Sequence, residues 1–183
     1  MFKLNKTNIL DCYEIYTNLN EDFRGKFIKV FNEVEFKKLS LNTNFTEQYY
    51  TISKPGVVRG LHFQIPPHDH AKLVYCTAGE VMDIALDLRV GSQTYGKYFS
   101  TKLSSKKANM IYIARGIAHG FATYEKTSTL IYNLTSAYSP ESDLGILWNS
   151  VGIEWPNSNP IISKRDKSFP KFKDFKSPFT YNS

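Results

Sequence analysis

The chain has 183 residues, 42% of them hydrophobic and 15% aromatic, with a formal charge of +6. That length suits one domain with a real core, and that hydrophobic share excludes a disordered chain. A basic balance of this size suits an anionic partner such as nucleic acid, a phosphorylated metabolite or a membrane surface, or does no more than keep the protein soluble.

In chain order, NEVEFKKLS is the one convincing short helix, with Val34, Phe36 and Leu39 as its apolar face. From 45 to 135 the chain reads as short strands broken by turn residues, which argues for a β-sandwich or small barrel. KLVYC puts Lys72, Val74 and Cys76 on one face. TAGE and RVGSQTYG are turn material. Between them EVMDIALDLR alternates, with Met82, Ile84, Leu86 and Leu88 on one side and Val81, Asp83, Ala85 and Asp87 on the other. The side with the aspartates faces either solvent or a polar barrel interior. MIYIARGIAHGFATY and TLIYNLTSAY continue the strand pattern. The tail from 157 is rich in Lys, Pro and Phe, and is either a flexible basic end or a segment packed over the barrel.

Cys12 and Cys76 stand alone in different surroundings, so no disulfide framework is expected and a reducing cytosol fits. No apolar run is long enough to span a bilayer, and MFKLNKTNIL lacks the apolar core of a secretory signal. A cytoplasmic protein without membrane association is expected.

Three of the four histidines fall in VVRGLHFQIPPHDHAKLVY. His68 and His70 form an H-x-H pair, and with the later His119 they offer three imidazoles to a metal. Leu73 and Val74 stand where a carboxylate ligand would follow, and two prolines make IPPHDH a loop. The pair therefore reads as exposed loop histidines, with no metal expected. His62 differs, lying among apolar residues in the strand-like RGLHFQ. Such a histidine is ordinarily a satisfied core residue.

VVRGLHFQ, AKLV, GEVMDIALDLR, GSQTYGKY, GIAHGF, YSPESDLGILWN and GIEWP occur in this order. Together they resemble the dTDP-4-dehydrorhamnose 3,5-epimerase family of nucleotide-sugar epimerases, within the cupins. The resemblance implies a mainly β, cupin-type jelly-roll barrel with a few short helices. Residues 1–183 would form a single epimerase domain, with about 157–183 packing over or near the barrel. It also implies a homodimer that needs no cofactor. The implied substrate is a nucleotide diphosphate-linked 4-keto-6-deoxy sugar, a dianion that accounts for the basic charge without nucleic acid.

By position, His62 matches the family's base, Tyr132 its acid, Lys72 the lysine beside the C4 oxygen, and Asp166 the carboxylate that pairs with the base. Arg24, Arg59, His119, Asp143 and Arg165 fall at substrate-contact positions, and Tyr138 at the base-stacking position. These residue types suit the reaction. Removing a C–H proton next to a ketone leaves an enolate. A neutral imidazole is a fitting base near neutral pH, and a carboxylate on its other nitrogen fixes its tautomer. A phenol can protonate the carbanion from the opposite face. An ammonium stabilises the enolate oxygen, and arginines bind a diphosphate bidentately. Strict alternation puts Arg59 and His62 on opposite faces, so a bulge at Gly60 is expected if both serve the pocket.

Departures from the family cluster at recognition positions. Lys29 replaces a Glu, Glu47 a Gln, Tyr49 an Asn, Ala114 a Pro and Asn133 a Lys, and Arg115 stands where an acidic or small residue is usual. Gln matches the donor and acceptors of thymine, whereas a carboxylate only accepts and suits the adjacent donors of guanine. Glu47 thus makes a GDP-linked 4-keto hexose or heptose of a surface polysaccharide a second substrate candidate. Inversion at C3, C5 or both is the first reading of the activity. A 3,4-ketoisomerase, a non-catalytic sugar-binding cupin and a metal-dependent dioxygenase are the competing ones.

Overall fold

The computed structural model describes residues 2–181. Its strands in chain order are β1 (Lys3–Lys6), β2 (Cys12–Tyr16), β3 (Leu19–Asp22), β4 (Gly25–Ile28), β5 (Glu47–Ser53), β6 (Val58–Gln64), β7 (Lys72–Ala78), β8 (Glu80–Asp87), β9 (Tyr98–Ser104), β10 (Asn109–Ile113), β11 (Ile117–Thr123), β12 (Ser128–Leu134) and β13 (Asp143–Gly145). Helix α1 (Glu33–Lys38) precedes β5, and α2 (Lys164–Lys167) follows β13. One antiparallel sheet runs β1-β2-β10-β7-β12-β5 and the other β13-β6-β11-β8-β9, while β3 and β4 form a separate hairpin. Short antiparallel strands shared between two sheets, with frequent jumps in strand order, are the jelly-roll architecture expected from the sequence.

The alternation along β8 has its counterpart in the packing. Val81 and Ala85 point between the sheets, where they meet Val74 and Cys76 of β7, Phe121 of β11 and Leu130 of β12. Ile84 and Leu86 point outward and pack with Leu61, Phe63 and Ala118. Asp83 and Asp87 are both fully buried, so their side of β8 is the polar interior, not solvent. Asp87 is satisfied by Arg89, Ser92 and Thr94, all within 2.9 Å. Burial pushes its carboxyl up, but these bonds outweigh that and hold it below the usual carboxylate range.

Both sheets are covered on their outer faces, so most strands bury two sides. Phe36 and Leu41 cover Leu73, Tyr75, Met110 and Tyr112 of the six-stranded sheet. Helix α1 is capped by Asn32, whose side chain accepts from Glu35 N–H at 3.0 Å, with acids in its first turn and lysines in its last. Its apolar face is narrower than the sequence implies. Phe36 is fully buried and Leu39 partly so, but Val34 is exposed, because a six-residue helix turns only one ridge onto the sheet.

The C-terminal segment covers the five-stranded sheet. Phe179 is buried there, with Phe172, Phe175 and Trp155 packed alongside. Ile161 bridges to Val57 and Thr180 to Val90. A buried Phe contributes roughly 1.5–3 kcal/mol. The bonds Val90 N–H to Phe179 O and Tyr181 N–H to Val90 O add to it, both at 2.9 Å. Among the described residues, no helix is long and apolar enough to cross a membrane.

Candidate active site

One end of the barrel opens into a cavity of about 240 Å³, walled by residues of both sheets. His62, from β6 of the five-stranded sheet, meets Lys72, from β7 of the opposite sheet, whose Nζ donates to His62 O at 3.1 Å. Burial drives the Lys72 ammonium down to about 8, although Asp143 and Asp83 oppose the shift.

His62 faces inward because β6 carries an extra residue. His119 pairs with His62 but Phe121 pairs with Arg59, so three steps on β6 match two on β11. This is the bulge anticipated at Gly60. Gly60 has a φ of +132°, and a Cβ there would lie 2.6 Å from Gly120 Cα. Only glycine fits this conformation and this close approach. Past the bulge, Leu61 and Phe63 point to the outer core while His62 points to the cavity. Arg59 lies nearby, its Nε donating to Ser53 Oγ at 3.0 Å, and its charge reaches Tyr132.

Asp166 arrives from a distant part of the chain. Ser163 caps α2 by accepting from Asp166 N–H at 3.0 Å, and the first turn aims the carboxylate at His62. Asp166 Oδ1 lies 3.0 Å from His62 Nε2, and Oδ2 accepts from Gly60 N–H at 3.1 Å. Burial pushes Asp166 up, but these bonds more than reverse it and leave the carboxyl below its usual range. An ionised carboxylate only accepts, so Nε2 carries the proton and Nδ1 the lone pair. Asp166 is therefore buried, although a polar tail normally leaves such a residue in water. Phe169 meets the His62 ring edge-on at 5.7 Å and also lies under Arg165. It fits because residue 145 is glycine, where a Cβ would fall 2.3 Å from the Phe169 ring.

Tyr132 comes from β12 of the sheet opposite His62 and is buried. Its ring stacks on Tyr49 of β5, with centroids 4.7 Å apart, and meets His119 edge-on at 5.8 Å. Burial first, then the neighbouring Tyr49 phenol, raises the Tyr132 phenol well above its usual range, so it stays protonated. His119 is held by Asp83 at 2.8 Å. Burial raises Asp83, and its Oδ1 lacks a hydrogen-bond partner among the described residues.

At the cavity mouth, Arg165 Nη2 pairs with Asp143 Oδ2 at 2.6 Å. Glu47 Oε2 accepts from Tyr138 N–H at 2.5 Å, and the exposed Tyr138 ring lines the mouth. Six residues picked from the sequence thus line the cavity: Glu47, His62, Lys72, Tyr138, Asp143 and Arg165. Arg59, His119, Tyr132 and Asp166 support it from behind or beside. Arg24 and Lys29 do not come to it. Arg24 is exposed on the β3–β4 hairpin, where it pairs with Asp22, and Lys29 is exposed just beyond β4.

The loop histidines need a correction. His70 is not exposed but buried, and it lines the cavity. Its Nδ1 lies 3.1 Å from Ser136 Oγ, and burial, helped by Lys72 and Arg115, lowers its pKa to about 3, so it is neutral. His68 turns away to Ser142 Oγ at 3.0 Å. The loop folds back over the barrel end, which spacing alone does not reveal. Asp83, Phe169 and Tyr49 were not picked as site residues. Asp83 was legible only as a polar residue on a face that meets either solvent or a barrel interior, and Tyr49 only as a departure.

The family model described as dTDP-4-dehydrorhamnose 3,5-epimerase matches residues 6–174. The chain is 37% identical over 172 residues to the dTDP-4-dehydrorhamnose 3,5-epimerase of Shigella flexneri, covering 92% of this chain and 95% of that one. With the enzyme of that name from Sinorhizobium fredii it shares 38% identity over 164 residues, 87% of this chain and 84% of the other. The crystal structure of the Elizabethkingia anophelis enzyme superposes with a TM-score of 0.90 at 39% identity, covering 94% and 97% of the two chains. That of a Legionella pneumophila 3,5-epimerase in complex with dTDP-4-keto-L-rhamnose superposes at 0.95 and 28% identity over all of both chains. With the His–Asp pair, the lysine and the buried tyrosine all present, this chain belongs to the dTDP-4-dehydrorhamnose 3,5-epimerase family of cupin-fold carbohydrate epimerases.

Proposed function

We propose that this protein inverts C3 and C5 of a dTDP-linked 4-keto-6-deoxy sugar through the four groups His62, Asp166, Lys72 and Tyr132. The observation that carries this is His62 on one sheet, paired with Asp166 of α2, facing the buried, protonated Tyr132 on the other sheet, with Lys72 reaching His62 from that second sheet. His62 Nδ1 takes the C–H proton, and the C–H electron pair moves onto the C4 oxygen as an enolate. The Lys72 ammonium stabilises that charge. Asp166 balances the imidazolium. The Tyr132 phenol then protonates the carbon from the other face, the C4 ketone re-forms, and the phenolate regains its proton from solvent while His62 releases one. Arg59 and Arg165 suit the diphosphate, and Tyr138 a stacked base.

Glu47 favours a second reading of the carrier. Its carboxylate lines the cavity and suits the paired donors of guanine, so a GDP-linked 4-keto hexose or heptose for a surface polysaccharide follows. Against it, one Glu47 oxygen is already taken by Tyr138 N–H. Calorimetric titration with dTDP and GDP separates the two, and tighter dTDP binding removes the GDP reading.

The same reading includes a homodimer. Phe23 and Phe27 stand on the β3–β4 hairpin at 98% and 62% exposure, beside Arg24. A hairpin that exposes two phenylalanines beside cationic residues fits one that docks on a second copy and brings Arg24 and Lys29 to the other copy's cavity. Incubation with dTDP-4-keto-6-deoxyglucose in D₂O, followed by NMR, tests the chemistry. Deuterium at C3 and C5 with the ketone still at C4 is expected. Migration of the carbonyl to C3 identifies a ketoisomerase, and no exchange a binding protein.

A further inference from the structure

Tyr49 is a part of the site to which the proton transfers above assign no task. It lies directly across the β5–β12 ladder from Tyr132, so the two side chains share one face. Their rings lie 22° from parallel at 4.7 Å, an offset-stacked pair. On another side the Tyr132 ring meets His119, itself tied to Asp83. The acid is thus clamped between a stacked phenol and an imidazole whose position is set by a buried carboxylate. Tyr49 lines the cavity, whereas Tyr132 is not part of the lining. The Tyr49 ring therefore covers one face of the acid's ring on the cavity side. Its contact with Tyr132 is made by the flat ring.

Once the enolate forms, two groups can protonate it. His62 can return a proton to the face it came from, or Tyr132 can deliver one to the other face. Only the second event inverts the carbon. Its rate depends on how closely the phenol O–H is held to the approach line, and small misplacements are costly in proton transfer. Resting on the epimerase reading, we propose that Tyr49 is a positioning residue for the acid: its ring holds Tyr132 against His119 and keeps water off it, so that inversion outruns same-face return.

The test is the partition between the two events. Wild type, Tyr49→Phe and Tyr49→Ala are each turned over in D₂O with dTDP-4-keto-6-deoxyglucose. Deuterium in recovered, uninverted substrate is compared with deuterium in inverted product. Tyr49→Phe keeps the ring, and its ratio of inversion to exchange is expected within about twofold of wild type. Tyr49→Ala is expected to lower that ratio roughly tenfold while exchange itself persists. An unchanged ratio in Tyr49→Ala, with both events falling together, overturns the proposal and leaves Tyr49 a packing residue. Equal loss in Tyr49→Phe also overturns it, because the hydroxyl would then be acting. If Tyr49→Ala does not fold, Tyr49→Leu replaces bulk without a flat ring and is read the same way. Wild type that neither exchanges nor inverts overturns the epimerase reading, and the role of Tyr49 with it.

Discussion

Replacing Asp166 with Asn keeps the size of the side chain and removes its charge. Asp166 is only 6% exposed, and its Oδ1 lies 3.0 Å from His62 Nε2. In the proposed step, in which His62 takes the substrate proton, the imidazolium and carboxylate charges sit about 4 Å apart. At an effective dielectric constant of about 20 their attraction is about 4 kcal/mol. His62 is 30% exposed, so solvent reduces this to about 2–4 kcal/mol. At 1.36 kcal/mol per tenfold, kcat/KM for the Asp166→Asn protein is expected to fall between about 30- and 1,000-fold. An amide can also turn its NH₂ toward the ring and select the wrong tautomer, which adds to the loss. The assay is the initial rate of C–H exchange in D₂O, with the melting temperature measured in parallel. Retention of more than a third of wild-type kcat/KM in a folded Asp166→Asn protein refutes the role assigned to the pair.

In the mechanism proposed above Lys72 must be protonated to stabilise the enolate, and burial has brought it to about 8. In a pH series, kcat/KM should therefore fall about tenfold per unit above pH 8, and a flat profile to pH 9.5 contradicts this. The folded pKa lies below the unfolded value of about 10.4. The charged lysine thus costs stability below pH 8, and that cost fades as pH rises from about 8 toward 10.4. Lys72→Met should accordingly be inactive yet melt higher than wild type at pH 7. Gly60→Ala puts a Cβ against Gly120 Cα at a φ that side chains rarely adopt. It should cost about 3 kcal/mol, or roughly 6–12 °C in melting temperature for a chain of this size, measured by calorimetry. Gly145→Ala should displace Phe169 from His62, seen as a loss in exchange rate with a smaller loss in dTDP affinity.

The motifs around His62 and Lys72 were legible because local order preserves them. RGLHFQ and AKLV lie close in sequence on consecutive strands, and the alternation in EVMDIALDLR follows from the period of two of any β-strand. The glycine at 60 was legible as a bulge because alternation otherwise fails there. Asp166 and Tyr132 were found only through their resemblance to family positions. Asp166 is 104 residues from its partner, and no pattern local to SKRD announces that the tail returns to β6. His70 was misjudged for the same reason, since its burial depends on a loop folding over the barrel end.

The sequence by itself determined the strand content, the alternation of two faces along β8, the chemical types that a proton-transfer site requires and, given the family positions of Arg59 and His62, the need for a bulge between them. These depend on chain periodicity and side-chain chemistry, which act between near neighbours. Tertiary structure alone decided that Asp83 and Asp87 face an interior, that Phe169 fills the space left by Gly145, that Tyr49 stacks on Tyr132, and that Arg24 and Lys29 lie away from the chain's own cavity. Each of these depends on which strands become neighbours. Strand pairing is a long-range choice, and the period of one strand carries no record of its partner.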